Sequence, residues 1–327
     1  MLARPAGRPK DPQLTSLHLP PTDEPRRLAD TLAGFGLSEA DLLAEGGESR
    51  VYALGADQVL RVMRTPADPA LLASKRTFLA SIDGRLPFAT PAIEAIAADG
   101  GWTVERRIPG TSLLALLRRI EGEARQTALV SYAESADAIA AIACPDRPYG
   151  QLLDPHPIRT ENWRGYLRLG LARFIDWNGA AIAQHGGDVA ALRDAALALI
   201  DGVPDTPPRV LVHGDYFPGN VMIGADFRVS GLVDFSAWTM VGDPLYDAIG
   251  AAIFLEMTAE ATAADIALVR QMVLARHGDA VRARGQFYRA YFAFAVADPR
   301  AETGPYPQLW PWSLANLAVL ADGRLAF

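Results

Sequence analysis

Three polar side chains, about two thirds of the way along the chain, have the types and spacing needed for phosphoryl transfer. Asp215 follows one short apolar run, Asn220 precedes a second, and Asp234 ends a third. An amide oxygen and a carboxylate that lie close together can bind Mg²⁺. A carboxylate outside that pair can take the proton from a hydroxyl that attacks a phosphate. The pattern therefore predicts Asp215 as the base and Asn220 and Asp234 as magnesium ligands.

The apolar runs on either side of Phe227 predict the element that positions these groups, a β-hairpin that turns near this residue. Positions 220 and 234 are equidistant from 227, so this register places Asn220 opposite Asp234. Directly paired residues lie about 5 Å apart, which lets both side chains share one magnesium cluster. Asp215 precedes Asn220 across a Pro-Gly turn, and we expect it to stand clear of the metal.

Three further residues are predicted to support the site rather than to react. His213 comes directly before the loop of the base and is expected to hold it. Asp243 precedes Pro244, a pairing typical of a helix N-cap followed by the first helical position. Asp247 comes one helical turn later, and we expect it to face back and brace the catalytic loop.

The loop residues of this segment form one pattern: His213-Gly214-Asp215, Asn220, Asp234 and Gly242-Asp243-Pro244. Each residue alone is also a common turn former or cap, but the spacing of the whole set favours a functional site. The pattern resembles the signature of the aminoglycoside phosphotransferase family, a branch of the kinase-like fold. The runs EGGESRVYAL, VLRV and DFSAW make it most similar, within that family, to hygromycin B phosphotransferases.

The resemblance implies an α+β, two-lobed protein-kinase-like fold, with a small N-terminal β-sheet lobe and a larger, mainly helical C-terminal lobe. Six prolines before position 26 predict an extended or mobile arm. A strand that ends in Pro-Gly before a helix is typical of a lobe junction. The predicted boundaries are 1–25 for the arm, 26–104 for the N-lobe, 105–110 for the hinge and 111–327 for the C-lobe.

The predicted N-lobe carries candidate nucleotide contacts. Gly46 and Gly47, with Ser49 after them, precede a strand, and glycine lets a backbone lie directly against phosphates. Arg61 is a cation within the apolar run VLRV, where kinase-like folds carry a phosphate-holding lysine. A phosphate contact is feasible for its planar guanidinium. The alternative is an arginine whose head group reaches solvent.

The ion pair that usually holds this cation is not visible in the sequence. The helix after the VLRV strand is expected to offer a glutamate, but the matching position holds Lys75 or Arg76. Like charges would repel Arg61, so its partner is either absent or supplied from elsewhere. Glu48 and Glu94 are both candidates for that partner.

The hinge is where the resemblance places contacts to the nucleotide base. Glu105 and Arg107 are the predicted nucleotide-binding positions there. Backbone contacts need no particular side chain, so the sequence leaves ATP and GTP both open as co-substrate.

Composition limits the class of partner. The net charge of −7 leaves no basic excess for nucleic acid or an anionic membrane surface, and is compatible with a cationic substrate. Cys144 is the single cysteine, which predicts a reducing compartment. The sequence contains no membrane-length apolar run and no signal-peptide pattern. We therefore expect a cytoplasmic protein, either a monomer or a homodimer.

The resemblance implies Mg²⁺-dependent transfer of the terminal phosphoryl group of ATP or GTP to a hydroxyl of a small molecule. An aminoglycoside or aminocyclitol antibiotic is the acceptor that the closest pattern suggests. Two alternatives stay open, because acceptor choice resides in variable helices. One is a metabolite kinase for sugars, choline or amino alcohols, and the other is a catalytically inactive, nucleotide-binding regulatory module.

Overall fold

The computed structural model describes residues 24–304 and 306–327. The chain divides into two compact units. Among the described residues, the first unit comprises 24–77 and 92–107, and the second comprises 78–91 and 108–327. The predicted N-terminal arm lies outside the described residues, apart from its last two positions, which begin the first helix.

The first unit is built on a five-stranded antiparallel sheet in the order β1-β2-β3-β5-β4. Gly55 has a φ of +71°, in the left-handed region that a tight hairpin turn requires, and it lies in the turn that connects β2 to β3. The elements are α1 (Glu24–Phe35), β1 (Leu42–Glu45), β2 (Ser49–Leu54), β3 (Gln58–Met63), α2 (Pro69–Ile82), β4 (Ile93–Ile96) and β5 (Trp102–Arg106). The helix α2 ends in the second unit.

The two faces of this sheet differ in polarity, because side chains alternate along each strand. One face presents Tyr52, Leu60 and Val104, which form an apolar core with Leu28 and Leu32 of α1. The opposite face presents polar residues that are also buried. One face of the sheet therefore packs against α1 through an apolar core, while the opposite face carries polar side chains that can bind a ligand.

The second unit contains two small sheets, in the orders β11-β10-β6 and β8-β7-β12-β9. All their strand pairs are antiparallel. The strands are β6 (Thr111–Ser112), β7 (Tyr149–Gln151), β8 (Arg159–Thr160), β9 (Val210–Val212), β10 (Val221–Ile223), β11 (Val229–Leu232) and β12 (Met240–Gly242). The candidate catalytic residues follow β9, precede β10 and follow β11.

Helices make up most of the second unit. The helix α7 is buried at every position, and it packs against α4, α8 and α9. This burial makes α7 a rigid support for the loop after β9. The helices are α3 (Leu113–Leu116), α4 (Gly122–Ile139), α5 (Trp163–Gln184), α6 (Val189–Ala198), α7 (Tyr246–Leu255), α8 (Ala263–His277), α9 (Ala280–Ala295) and α10 (Leu309–Ala321).

The predicted start of α7 at Pro244 is wrong by two residues. The helix begins at Tyr246, and the residue at its N-cap is Leu245, which makes no side-chain cap. Asp243 instead forms a turn before the helix, in which its Oδ1 accepts a hydrogen bond from Leu245 N at 3.1 Å. The N-cap prediction failed because the two carboxylate oxygens of Asp243 are committed to side chains of α9.

The predicted α+β class is confirmed, with an antiparallel sheet in the first unit and mostly helices in the second. Across residues 24–304 and 306–327, no helix combines the length and the apolar character that crossing a membrane requires.

Candidate active site

The loop that carries Asp215 is fixed by a buried carboxylate on α7. Asp247 accepts hydrogen bonds from the backbone N–H of His213 at 2.7 Å and of Gly214 at 3.0 Å. Gly214 has a φ of +82°, and a Cβ there would lie 2.1 Å from the carbonyl oxygen of Trp238. Only glycine fits this position, so Asp247 and Gly214 together set the path of the loop into Asp215.

Burial dominates the electrostatics of Asp247. The loss of hydration raises its pKa from 3.8 to about 7. The hydrogen bonds from Gly214 and His213 act in the opposite direction, and the charge of Asp215 adds a further upward contribution. The carboxylate that braces this loop is therefore one that titrates near neutral pH.

The other side of Asp215 is anchored to α4 by a reciprocal pair of tyrosines. The hydroxyl of Tyr132 donates to the carbonyl of Tyr216 at 2.9 Å, and the hydroxyl of Tyr216 donates to the carbonyl of Tyr132 at 3.0 Å. Their rings stack with centroids 5.0 Å apart. Sequence reasoning missed this pair, because Tyr132 lies 84 positions before Tyr216 and its helix shows only a general apolar pattern.

Asn220 is joined directly to Asp215. Its Nδ2 donates to the backbone carbonyl of Asp215 and to the Oδ2 of the same residue, both at 3.0 Å. The amide nitrogen makes both bonds, so Oδ1 is the atom of Asn220 that remains for a metal. The predicted base and the predicted metal ligand are therefore joined by hydrogen bonds, rather than standing apart across the Pro-Gly turn.

The predicted register of the hairpin is wrong by one residue. The turn is centred one position before Phe227, and Ser230 is the extra residue of a β-bulge between β10 and β11. Val233 N donates to the carbonyl of Asn220 at 2.9 Å, which places Val233 opposite Asn220. Asp234 follows one position later, just beyond the paired strand.

Asp234 has an unusual backbone conformation. Its φ is +66°, in the left-handed region that residues other than glycine seldom adopt. Such a conformation costs about 1–3 kcal/mol and concentrates at functional sites. Beside it, the Nε2–H of the fully buried His213 donates to the carbonyl of Val233 at 3.0 Å. His213 therefore ties the loop of Asp215 to the segment that carries Asp234.

Tyr306 lies in the same acidic surroundings, although sequence reasoning missed it. Burial raises the pKa of its phenol, and the nearby charges of Asp215, Asp234 and Glu260 raise it further. Its ring meets the ring of Phe217 edge-on, with centroids 5.0 Å apart, and 37 % of the residue is exposed. No signal in the sequence links this tyrosine to a motif some 90 positions earlier.

The fully buried Asp243 belongs to a separate hydrogen-bond network. Its Oδ1 accepts from Nη1 of Arg284 at 2.7 Å, and its Oδ2 accepts from the hydroxyl of Tyr288 at 2.7 Å. That hydroxyl in turn accepts a hydrogen bond from Nε1 of Trp163 at 2.8 Å. These contacts join the segment before α7 to α9 and α5, and they make no bond to Asp215.

In the first unit, three of the predicted nucleotide-binding residues come together. Arg61 pairs with Glu105, with 3.2 Å between Nε and Oε1, and its Nη1 donates to Oγ of Ser49 at 3.1 Å. Glu105 was predicted for the hinge and not as the partner of this arginine. Glu94, one of the partners considered from the sequence, accepts a hydrogen bond from Gln58 instead.

The remaining predicted nucleotide contacts lie apart from this cluster. Gly46 N donates to the carbonyl of Ser49 at 2.9 Å, which closes a tight turn before β2, and Gly47 lies within it with open space around its Cα. Arg107 N donates to the carbonyl of Asp57 at 2.8 Å. The backbone N–H of Arg107 is therefore used within the protein.

The donor set around Asp215 fits magnesium. Mg²⁺ takes oxygen ligands and is usually held by one or two carboxylates, with water and substrate phosphates completing its shell. The side chain of Asn220 is oriented with its nitrogen on Asp215, which leaves its oxygen for a cation, and the acidic Asp234 directly follows Val233, the residue that pairs with Asn220. Within the described part of the chain, no group of three or more histidine, cysteine or acidic residues forms a metal cage.

Comparison with known proteins identifies the family. A model of the phosphotransferase enzyme family matches residues 39–288, which include every predicted site residue. The chain belongs to this family. The family predicted from the sequence is thereby confirmed, and membership makes the chain a phosphotransferase. No curated protein matches the chain.

Solved structures of phosphotransferases share the fold. A thermostable mutant of the aminoglycoside phosphotransferase APH(4)-Ia, in ternary complex with AMP-PNP and hygromycin B, is 22% identical with a TM-score of 0.63, over 92% of this chain and 98% of that chain. The macrolide 2'-phosphotransferase MphH from Brachybacterium faecium is 20% identical with a TM-score of 0.53, over 87% and 98%. A complex of APH(2")-IIia with GDP and kanamycin is 14% identical with a TM-score of 0.55, over 92% and 99%. The predicted kinase-like fold is confirmed by these similarities.

Proposed function

We propose that this phosphotransferase is a Mg²⁺-dependent small-molecule kinase, which transfers the terminal phosphoryl group of ATP or GTP to a hydroxyl. The observation that carries the proposal is the hydrogen bond between the side chains of Asp215 and Asn220, in a loop that Asp247 holds through two backbone N–H groups. Membership of the phosphotransferase family supports the reaction class. The AMP-PNP and GDP in the similar structures support a nucleoside triphosphate as donor.

Each residue has a distinct part in the proposed reaction. Asp215 accepts the proton of the acceptor hydroxyl and orients its oxygen toward the phosphorus. Asn220 Oδ1 and the carboxylate of Asp234 are the groups that would hold magnesium, which neutralises charge on the phosphates when bound. Arg61 contacts the phosphates. Positioning and charge neutralisation then supply most of the rate, since the protein makes no covalent bond.

The acceptor we propose bears amino groups, as an aminoglycoside or aminocyclitol does. The charges of Asp215, Asp234 and Glu260 all raise the pKa of Tyr306, so this partly exposed ring has acidic groups near it. Arg118 pairs with Glu260 and offsets one of these charges. Hygromycin B and kanamycin in the similar structures support the same acceptor class. An aromatic ring beside carboxylates suits a polycation with apolar ring faces.

The test is a nucleotide-consumption assay with purified protein, ATP or GTP, and a panel of aminoglycosides, amino alcohols and sugars. We expect Mg²⁺-dependent consumption with at least one aminoglycoside, and we expect that expressing the gene in a susceptible bacterium protects it from that compound. Turnover with a sugar or choline alone would favour the metabolite kinase. Tight nucleotide binding without any turnover would favour the regulatory module.

The metal role has its own test in Asp234→Ala. This change removes the carboxylate proposed to hold magnesium, so the stimulation of nucleotide binding by Mg²⁺ should disappear. Nucleotide affinity is measured by calorimetry with and without Mg²⁺, and Asp226→Ala, in the exposed turn of the same hairpin, is the matched control. An unchanged response to Mg²⁺ in Asp234→Ala would count against the assignment.

A further inference from the structure

The sheet of the first unit buries a polar cluster on the face opposite α1. Ser49 is 7% exposed, Thr103 0% and Glu105 4%, and the side chain of Arg61 is 16% exposed. Polar groups in such a place are costly unless each is hydrogen-bonded, and apolar residues of similar size are often as stable or more so. The cluster therefore calls for an explanation other than stability.

The strand register accounts for the geometry of the cluster. Arg61 on β3 lies directly opposite Thr103 on β5, and Glu105 comes two positions later on the same face. Thr103 Oγ1 donates to Oε1 of Glu105 at 2.8 Å, and that same oxygen lies 3.2 Å from Nε of Arg61. Because Ser49 binds Nη1, the guanidinium is held at two of its nitrogens and its plane is fixed.

The helix that follows β3 cannot supply this carboxylate. The sequence of α2 is PALLASKRTFLASI, which contains Lys75 and Arg76 but no acidic residue. An acidic partner of Arg61, Glu105, is instead built into the neighbouring strand. A pair between adjacent strands exists whenever the sheet is folded, so it requires no movement of a helix.

We infer that Glu105 is the positioning residue for Arg61, and that it fixes the guanidinium in the orientation that receives the nucleotide phosphates. This inference rests on the proposed function. It also accounts for arginine in place of lysine at position 61. A planar guanidinium can bind Glu105 and Ser49 through two nitrogens in a fixed plane, whereas an ammonium is a single point of charge.

The inference predicts a selective effect of Glu105→Gln. This change keeps the shape of the side chain but removes the charge that orients Arg61. We expect KM and Kd for ATP or GTP to rise by roughly tenfold to hundredfold, the worth of one charge-assisted hydrogen bond, with kcat nearly unchanged. The matched control is Glu94→Gln on β4 of the same sheet, where an exposed carboxylate binds Gln58 and nucleotide affinity should stay at the wild-type value.

A double-variant cycle separates positioning from simple structural support. Once Arg61→Met has removed the guanidinium, adding Glu105→Gln should weaken nucleotide binding no further. Additive losses would overturn the inference, as would a Glu105→Gln protein with a lowered Tm but wild-type nucleotide Kd. If Glu105→Gln does not fold, Glu105→Asp replaces it, because aspartate keeps the charge on a shorter side chain. The inference requires that Glu105→Asp raise the nucleotide Kd, and a wild-type Kd would overturn it.

Direct binding of ATP and GTP, measured by calorimetry without any acceptor, separates this inference from the proposed function. Wild-type protein that binds neither nucleotide contradicts the proposed function itself. Wild-type protein that binds one of them, with equal affinity in Glu105→Gln, contradicts only the role of Glu105.

Discussion

The two units hold their polar groups in different ways. In the second unit the candidate catalytic residues lie in loops at strand ends, and Asp247 fixes the first of these loops through two backbone N–H groups. In the first unit Arg61 and Glu105 lie within paired strands, and the side chains of Glu105 and Ser49 bind the guanidinium of Arg61. One substitution can therefore disorder the loop of Asp215, whereas the sheet should keep its form and lose only the alignment of one cation.

The largest effect that would sharpen this contrast is expected for Asp247→Ala. The change leaves two buried N–H groups without an acceptor, and each costs about 1–3 kcal/mol. Part of this cost is offset, because the mutant no longer has to bury a carboxylate away from water. We expect a net loss of about 2 kcal/mol in the free energy of unfolding, together with loss of phosphoryl transfer. Urea unfolding and turnover measure both, with the exposed Asp205→Ala as control. Wild-type turnover in Asp247→Ala would contradict the claim that one substitution can disorder the loop of Asp215.

A second effect, on stability alone, concerns the pH dependence that Asp247 gives to the free energy of unfolding. Its pKa is about 7 in the folded protein against 3.8 ordinarily, so the folded state binds this proton more tightly. The resulting stability is fully present below about pH 4 and is lost as the pH rises toward 7, at up to ~1.4 kcal/mol per pH unit. We expect the wild-type free energy of unfolding, minus that of Asp247→Asn, to fall over this range. A constant difference would show that the pKa of Asp247 is ordinary.

The smallest effect is expected in the sheet, for Thr103→Val. Valine fills the same space but removes one hydrogen bond to Glu105, which Arg61 continues to hold. We expect a loss of about 1 kcal/mol in the free energy of unfolding, and less than about a threefold rise in KM for the nucleotide. A complete loss of transfer would show that the sheet is no more tolerant than the loop. Thr111→Val, at an exposed threonine, is the control.

The sequence predicted the local features of the catalytic segment and missed its longer-range ones. The spacing of Asp215, Asn220 and Asp234 after and before short apolar runs was enough to place them at strand ends. The register failed because a bulge at Ser230 leaves no mark in a pattern of alternating residues. Tyr306 could not be found, because its position beside the motif depends on the packing of the helices between them.

The sheet shows the same limit in another form. The strands β2 and β3 are joined by a short turn, but β3 also pairs with β5, some 40 positions later. The pairing of Arg61 with Glu105 depends on that second strand pairing, so the sequence offered Glu48 and Glu94 as candidate partners but not Glu105. The N-cap prediction for Asp243 failed similarly, since Arg284 and Tyr288 on α9 bind its carboxylate.

The most direct test of the account is to measure phosphoryl transfer and nucleotide binding together in Asp215→Asn. The change removes the proposed base and keeps the shape of the side chain, so the protein should fold and bind ATP or GTP with Mg²⁺ as the wild type does. We expect turnover with the best acceptor to fall by roughly 10²–10⁴-fold, the usual worth of a general base. Turnover within a few-fold of the wild-type value would contradict the central claim that Asp215 activates the acceptor hydroxyl.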